Sequence, residues 1–186
     1  MIATAYVYGT GLGPQVTFSP GTQATLGGGF SKPQGVAVDG SGNVFVADTS
    51  VVKEIPGGCG STSCVVTLAS SFSFNNLPGI TVDGSGNVFV ADYGTSKVYE
   101  ILAAGGYTTV NTLGGGFSFN SPTGVAVDGS GNVFVADYSN NAVEEILAAG
   151  GYITVNTLGG GFSAPQDVAV DGRGNVSTSP IPEIMR

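Results

Sequence analysis

The sequence contains no histidine, and only 10% of its 186 residues are charged. Without histidine, neither a Ser-His-Asp nor a Cys-His nucleophilic site can be built, and the commonest general base is missing. The basic residues are isolated from one another, whereas a nucleic-acid surface needs clustered lysine and arginine. They are Lys32, Lys53, Lys97, Arg173 and Arg186. With a net charge of −8, the chain is not expected to bind nucleic acid or an anionic membrane surface.

Long apolar runs are absent as well, so no membrane insertion is expected. The first residues, Met-Ile-Ala-Thr-Ala-Tyr, lack the basic and apolar regions of a signal peptide, so export either does not occur or depends on a signal outside this sequence. The two cysteines, Cys59 and Cys64, fall where the other units place a hairpin. We predict a disulfide rather than two free thiols, which favours an extracellular or cell-surface location. No cofactor, zinc or other transition metal is expected.

What the chain has in abundance is glycine, with 32 residues that recur at fixed places in a repeat. The signature Val-Asp-Gly-Ser-Gly-Asn-Val-Phe-Val-Ala-Asp occurs unchanged at residues 38–48, 82–92 and 127–137, and a degraded copy begins at Val170. A short marker that begins with leucine and ends with phenylalanine, Leu-Gly-Gly-Gly-Phe in most copies, precedes each signature. The units lie near residues 26–67, 68–112, 113–157 and 158–186. Their length is typical of propeller blades or paired-helix repeats.

Local patterns favour strands over helices. Each unit has short β-branched runs bounded by glycine, with residues 35–38 and 43–47 joined by an Asp-Gly-Ser-Gly turn in the first unit. Third strands are predicted at residues 98–102 and 143–147, and fourth strands at residues 107–111 and 152–156. We therefore predict a single all-β domain, a β-propeller of about four units, each a four-stranded antiparallel blade.

The units resemble NHL repeats. The resemblance lies in the Pro-x-Gly-Val-Ala-Val-Asp entry at residues 122–128, in Gly-Asn-Val-Phe-Val-Ala-Asp, and in the Asn-rich connection at residues 138–141. It runs from Leu26 to Val176 and implies a β-propeller. Some propellers related to NHL repeats are lyases or lactonases that use a metal in the central channel, so the resemblance also makes such an activity an alternative for this chain.

The two ends do not form whole blades. Residues 1–25 supply strand-like segments at 5–8 and 15–18, and the fourth unit decays after Val176, although residues 181–184 echo a third strand. Residues 1–25 are predicted to be outer strands that complete a blade. The ring closes either within one chain, through its shared termini, or by oligomerisation. Small residues on the first strands, such as Ala37 and Ala126, would ease crowding at the centre.

Candidate site residues come from the connections between strands. The aspartates that end the second strands, Asp48, Asp92 and Asp137, are predicted to brace loops rather than catalyse. The Asp-Gly-Ser-Gly-Asn turns resemble the start of a calcium loop, but they also form hairpins for local reasons. Aromatic and amide side chains beyond those aspartates suit a sugar or peptide ligand, although the tyrosines can equally lie between blades. These candidate ligand-binding residues are Tyr93, Tyr138, Asn140 and Asn141.

Three functions follow from these observations. The first is a non-catalytic binding or scaffold module whose partner is a protein or glycan. The second is a self-assembling structural protein that pairs with itself through unmatched terminal strands. The third is a metal-dependent propeller lyase or lactonase. Because no catalytic residues can be assigned, the first function is preferred.

Overall fold

The computed structural model describes residues 26–159 and 161–179, and these residues form an all-β fold, as predicted. The only helices in that part of the chain are two short 3₁₀ turns, Thr62–Cys64 and Tyr138–Asn140. The strands of the first two units are β1 (Pro33–Val38), β2 (Val44–Asp48), β3 (Val51–Ile55), β4 (Val66–Leu68), β5 (Gly79–Val82), β6 (Val88–Asp92), β7 (Lys97–Ile101) and β8 (Val110–Thr112). Those of the last two are β9 (Pro122–Val127), β10 (Val133–Asp137), β11 (Ala142–Ile146), β12 (Val155–Leu158), β13 (Asp167–Val170) and β14 (Val176–Ser179).

Each of the first three units is one antiparallel sheet whose strands are hydrogen-bonded in chain order, from β1 to β4, β5 to β8 and β9 to β12. The fourth sheet has two described strands, β13 and β14. The predicted fourth strands begin too early, because Tyr107 and Tyr152 have positive φ of 60° and 63°. Non-glycine residues adopt that conformation mainly in turns, and both tyrosines belong to the turn before their strand.

The sheets stack face to face in chain order, and their cores lie between them. We call the face of a sheet that points toward the preceding unit its leading face, and the opposite face its trailing face. Between the first two sheets, Phe45 and Val52 of one trailing face contact Ile80 and Val90 of the next leading face. The same arrangement recurs between the second and third sheets and between the third and fourth. Because successive side chains of a strand point to opposite faces, the second and third sheets each have two buried faces.

The innermost strands of consecutive units, β1, β5, β9 and β13, touch one another. Glycine permits this approach: a Cβ on Gly79 would clash with the Thr123 carbonyl oxygen, and one on Gly124 would lie 2.6 Å from the Asp167 Cα. The prediction that small residues ease crowding at the centre of a four-bladed ring stays a prediction, because it depends on ring closure. Ala37 and Ala126 pack in the cores on trailing faces, and the close approach is made by glycines two positions earlier.

The predictions for the chain ends concern residues outside the described ranges. The strand-like segments at residues 5–8 and 15–18 and the third-strand echo at residues 181–184 belong to this group. Ring closure, within one chain or through a second one, therefore remains a prediction, as does the role of residues 1–25 in completing a blade.

Candidate functional site

The aspartate that ends each second strand is buried and accepts backbone N–H groups from the connection that enters its own unit. Ser31 and Lys32 donate to Asp48 at 2.9 and 2.6 Å, and Asn75 donates to Asp92 at 2.8 Å. Asn120 donates to Asp137 at 2.8 Å. Each carboxylate ties the entry of its blade to the end of its second strand. The prediction that these aspartates are braces is confirmed.

The third strands place a different side chain beside the brace in each sheet. In the first sheet, Lys53 Nζ donates to Asp48 Oδ2 at 2.8 Å and to the Gly29 carbonyl at 2.7 Å. Burial raises the pKa of Asp48, but hydrogen bonds from Lys53 and the two amides outweigh it and hold the pKa below its usual value. The first brace is therefore an ion pair.

The equivalent residues in the next two sheets are Tyr99 and Glu144, opposite Val90 and Val135 in the strand register as Lys53 is opposite Val46. Tyr99 packs edge-on against Phe72 and Phe74.

Glu144 is a buried acid, 2% exposed, and its Oε2 has no hydrogen-bond partner in the described structure. Burial raises its pKa, and the nearby charge of Asp137 raises it further, while Thr157 offsets part of the rise. Burial also raises the pKa of Asp137. The third brace thus stands beside a second acid instead of a cation.

The Asp-Gly-Ser-Gly-Asn hairpins at the other end of the blades are closed by their own side chains. Asp39 Oδ1 accepts the amides of Ser41 and Asn43, each at 2.9 Å, and Asp39 Oδ2 accepts Asn43 Nδ2 at 2.8 Å. Asn43 Oδ1 then accepts the Gly57 amide across to the next loop. These bonds explain the aspartate and asparagine of the signature as turn residues. Within the described ranges, no group of three His, Cys, Asp or Glu side chains is placed to hold a metal.

The four predicted ligand-binding residues lie at the brace end of the blades, but they are not equivalent. Asn140 Nδ2 donates to Asp137 Oδ2 at 2.8 Å and to the Ser118 carbonyl at 3.2 Å. Asn141 Oδ1 accepts the Ala164 amide at 2.9 Å. Both amides therefore hold connections in place. Tyr93 is 39% exposed and Tyr138 is partly exposed, at matching positions of the second and third units, and Asn140 and Asn141 are exposed as well.

A partly open cavity of about 350 Å³ lies where the first strands begin. All four units contribute to its wall, among them Gln34, Pro78, Thr123, Gln166 and Asp167. Because Pro33 pairs with Asp48 and Pro122 with Asp137, the cavity lies at the brace end, as do Tyr93 and Tyr138. Sequence reasoning missed this cavity. The sequence feature that could have pointed to the cavity is the Pro-x-Gly motif at the start of the first strands, because residues of this motif line the wall. In the fourth unit the motif becomes Pro165-Gln166-Asp167.

The two cysteines are joined between β3 and β4. Cys59 and Cys64 form a disulfide with a Cα–Cα distance of 6.1 Å, within the range that disulfides tolerate. This pair lies in the loop that the sequence identified as a hairpin. Among the described residues, no helix has the length and apolar character needed to cross a membrane.

The stacked antiparallel blades define the chain as a β-propeller protein. The NHL repeat family model matches residues 30–51 and 119–144. The chain carries NHL repeats, and the resemblance drawn from the sequence is confirmed. A search of curated protein sequences finds no match.

Solved structures of similar fold include virginiamycin B lyase from Staphylococcus aureus, in a catalytically inactive histidine-to-alanine variant with quinupristin. The TM-score is 0.64 at 14% identity, over 79% of this chain and 48% of that one. A streptogramin B lyase gives 0.58 at 12% identity, over 82% and 56%. A Bacteroides thetaiotaomicron protein of unknown function gives 0.61 at 20% identity, over 78% and 44%. The chain spans about half the length of these proteins, and the likeness shows the fold.

Proposed function

We propose that this chain is a non-catalytic binding or scaffold module that takes a protein or glycan ligand at the brace end of its blades. The observation that carries the proposal is the cavity at the start of the first strands, together with Tyr93 and Tyr138, which lie at the same end of the blades but outside the cavity lining. The volume of about 350 Å³ lies in the range of small-ligand pockets. Its wall combines apolar strand residues with the polar side chains of Gln34, Gln166 and Asp167, a mixture suited to orienting a neutral polar ligand.

The state of the carboxylates supports binding over catalysis. The brace aspartates are buried and occupied by amides, so their oxygens are not presented to a ligand. At the cavity, Thr123 already donates its hydroxyl toward the carbonyls of Ala136 and Pro165. Asp167 is the one carboxylate that lines the cavity within the described residues, so a reaction there would have no second carboxylate with which to divide the acid and base roles.

The ligand class follows from the exposed groups. Tyr93 and Tyr138 present aromatic surface, which packs on sugar rings and on peptide side chains at low entropic cost. Gln34 and Gln166 supply amide donors and acceptors at the cavity. The Cys59–Cys64 disulfide supports an extracellular or surface-displayed setting, where such a bond persists.

The fold likeness to streptogramin-type lyases supports lyase activity as a second candidate function. In one of them the catalytically inactive form is a histidine-to-alanine variant, whereas this chain contains no histidine. The two functions separate in one assay. Chromatography of quinupristin incubated with the chain and a panel of divalent cations should show no conversion beyond the protein-free control. Turnover would favour the lyase.

Ligand binding is tested with a glycan array and a random peptide library displayed on phage. We expect ligands from one class, and we expect their binding to fall at least tenfold in the Tyr93→Ala, Tyr138→Ala double variant. Ile153→Ala is the matched control, because Ile153 is 64% exposed in the turn before β12, at the opposite end of the blade. No ligand in either class, or equal loss in the control, would contradict the proposal.

A further inference from the structure

In the part of the chain that the structure describes, the leading face of the first sheet is apolar and no other sheet covers it. Val36 is 65% exposed and Val38 60% exposed, and Leu26 at the border is 53% exposed. A groove of about 370 Å³ runs over this face, bordered by Phe30, Val44 and Ile55 as well as by Leu26 and Val36. Exposed apolar surface of this kind, concentrated on one sheet face, marks an interaction site.

The other three junctions show what this face is built for. The residues equivalent to Val36 are Ile80, Val125 and Val168, which are only 9%, 5% and 5% exposed because the preceding sheet covers them. Each cover includes a phenylalanine of the preceding second strand: Phe45, Phe89 or Phe134. The leading face of the first sheet has the same composition, so it is suited to an apolar sheet face.

The trailing face of the fourth sheet, which a head-to-tail copy would present, is polar. Ser177 stands where the earlier sheets have phenylalanine, and Ser179 stands where they have alanine. Asp167 replaces the glycine that allows the next inner strand to approach, and all three residues are exposed. This face resembles the polar outer face of a capping repeat. A polar face of this kind is poorly suited to cover an apolar leading face.

We propose that the leading face of the first sheet is a self-association surface, which binds the same face of a second copy about a two-fold axis. Such an interface requires one patch that is complementary to itself, and an apolar sheet face satisfies this by packing against its equal. Charge does not oppose the pairing. The chain carries a net charge of −8, but the groove has no acidic residue in its wall, and Lys53 beside it is neutralised by Asp48.

Sedimentation and light scattering over a range of concentrations test the proposal on the 186-residue chain. We expect a reversible species of twice the 18.4 kDa chain mass, and we expect Val38→Asp to convert it fully to monomer. Ala169→Asp is the matched control, because it places the same charge on the open trailing face of the fourth sheet, and it should leave the dimer intact. A wild-type chain that stays monomeric up to about 1 mM would overturn the proposal, since the face is then covered within one chain, for example by residues 1–25.

A cross-linking experiment keeps the proposal testable if Val38→Asp does not fold. In a two-fold interface, residues near the axis meet their own copies, so Val36→Cys or Val38→Cys should form a disulfide-linked dimer on mild oxidation. Ala169→Cys should not. The reverse result, or a mass that grows continuously with concentration and is abolished by Ala169→Asp, would show head-to-tail assembly and contradict the two-fold arrangement.

Discussion

The first and third sheets place the same buried aspartate at the end of the second strand and surround it in opposite ways. In the first, Lys53 Nζ bridges Asp48 and the Gly29 carbonyl. In the third, Asn140 Nδ2 bridges Asp137 and the Ser118 carbonyl, and the third strand contributes the acid Glu144. The pKa of Asp48 is lowered and that of Asp137 is raised. A neutral amide can thus replace an ammonium as the bridge, but it leaves the site without a positive charge.

The comparison separates two requirements of the fold. The signature fixes the hydrogen-bond geometry of the brace, since backbone amides reach the aspartate in both sheets. The third-strand residue fixes its electrostatics, and that residue lies outside the signature. Repeats with an identical signature therefore differ in how their stability responds to charge and pH. The following substitutions test that difference, from the largest expected effect to the smallest.

Lys53→Met should destabilise the chain by about 3 kcal/mol, because it leaves Asp48, 2% exposed, without its counter-charge. Methionine preserves much of the apolar stem, so the loss reports the charge. The folded pKa of Asp48 lies below its unfolded value, so the ion pair contributes stability above about pH 4 and loses it as the pH falls through the folded pKa. Urea unfolding at pH 7 and pH 3 measures both effects.

Lys32→Met is the control for this prediction, because Lys32 is an exposed neighbour, and its side chain should matter by less than about 0.5 kcal/mol. If the Lys53→Met and Lys32→Met variants unfolded at the same urea concentration, the ion pair would contribute nothing, and the contrast between the two braces would lose its energetic meaning.

Gly124→Ala should destabilise the chain by about 1–3 kcal/mol through overpacking, and by more than Gly35→Ala. A Cβ on Gly124 would meet backbone atoms, the Asp167 Cα at 2.6 Å and the Val168 nitrogen at 2.9 Å. One on Gly35 would lie 3.0 Å from the Ile80 methyl group and the Pro78 oxygen, a contact that smaller shifts can relieve. Thermal unfolding, with amide exchange in β13, measures the difference.

Gly129→Ala and Gly40→Ala serve as matched controls for the glycine series. Both lie in signature turns, both have φ outside the left-handed region, and a Cβ at either position would meet nothing within 4 Å. Equal effects at Gly124 and Gly129 would refute the close-approach explanation, since the entropy that glycine adds to the unfolded chain is the same at both positions.

Replacing both cysteines by serine should cost at most about 2 kcal/mol, because the bridge closes a short loop and the loop entropy it removes is small. The first sheet has this bridge where the third has the Ala-Ala-Gly-Gly turn at residues 148–151. Urea unfolding of both forms, with and without reductant, provides the measurement. The reductant should affect only the wild-type chain, and two alkylatable thiols in unreduced protein would contradict the bridge.

The sequence was sufficient for the repeat, the order of strands and the bracing aspartates, because turn chemistry and β-branched runs are local signals. It misplaced the start of β8 and β12, since the positive φ of Tyr107 and Tyr152 depends on how the turn packs on the neighbouring hairpin. The sequence also did not predict the cavity or the charge contrast between Lys53 and Glu144. Both arise from residues far apart in the chain that meet only when the sheets stack, and the exposed or buried state of a face depends on its neighbour.

Glu144→Gln should stabilise the chain at neutral pH by about 1 kcal/mol, because it removes a charge that burial and Asp137 both oppose. The folded pKa of Glu144 lies above its unfolded value of about 4.3. The folded state therefore binds more protons, and its stability falls as the pH rises from about 4.3 through the folded pKa. The glutamine variant lacks this loss, so its advantage over the wild-type chain should be absent near pH 4 and should grow toward pH 7. Glu145→Gln is the matched control, since Glu145 is the more exposed neighbour on the same strand and should give a smaller change. An advantage for Glu144→Gln that is equal at pH 4 and pH 7 would mean that packing, and not the buried charge, separates the third sheet from the first.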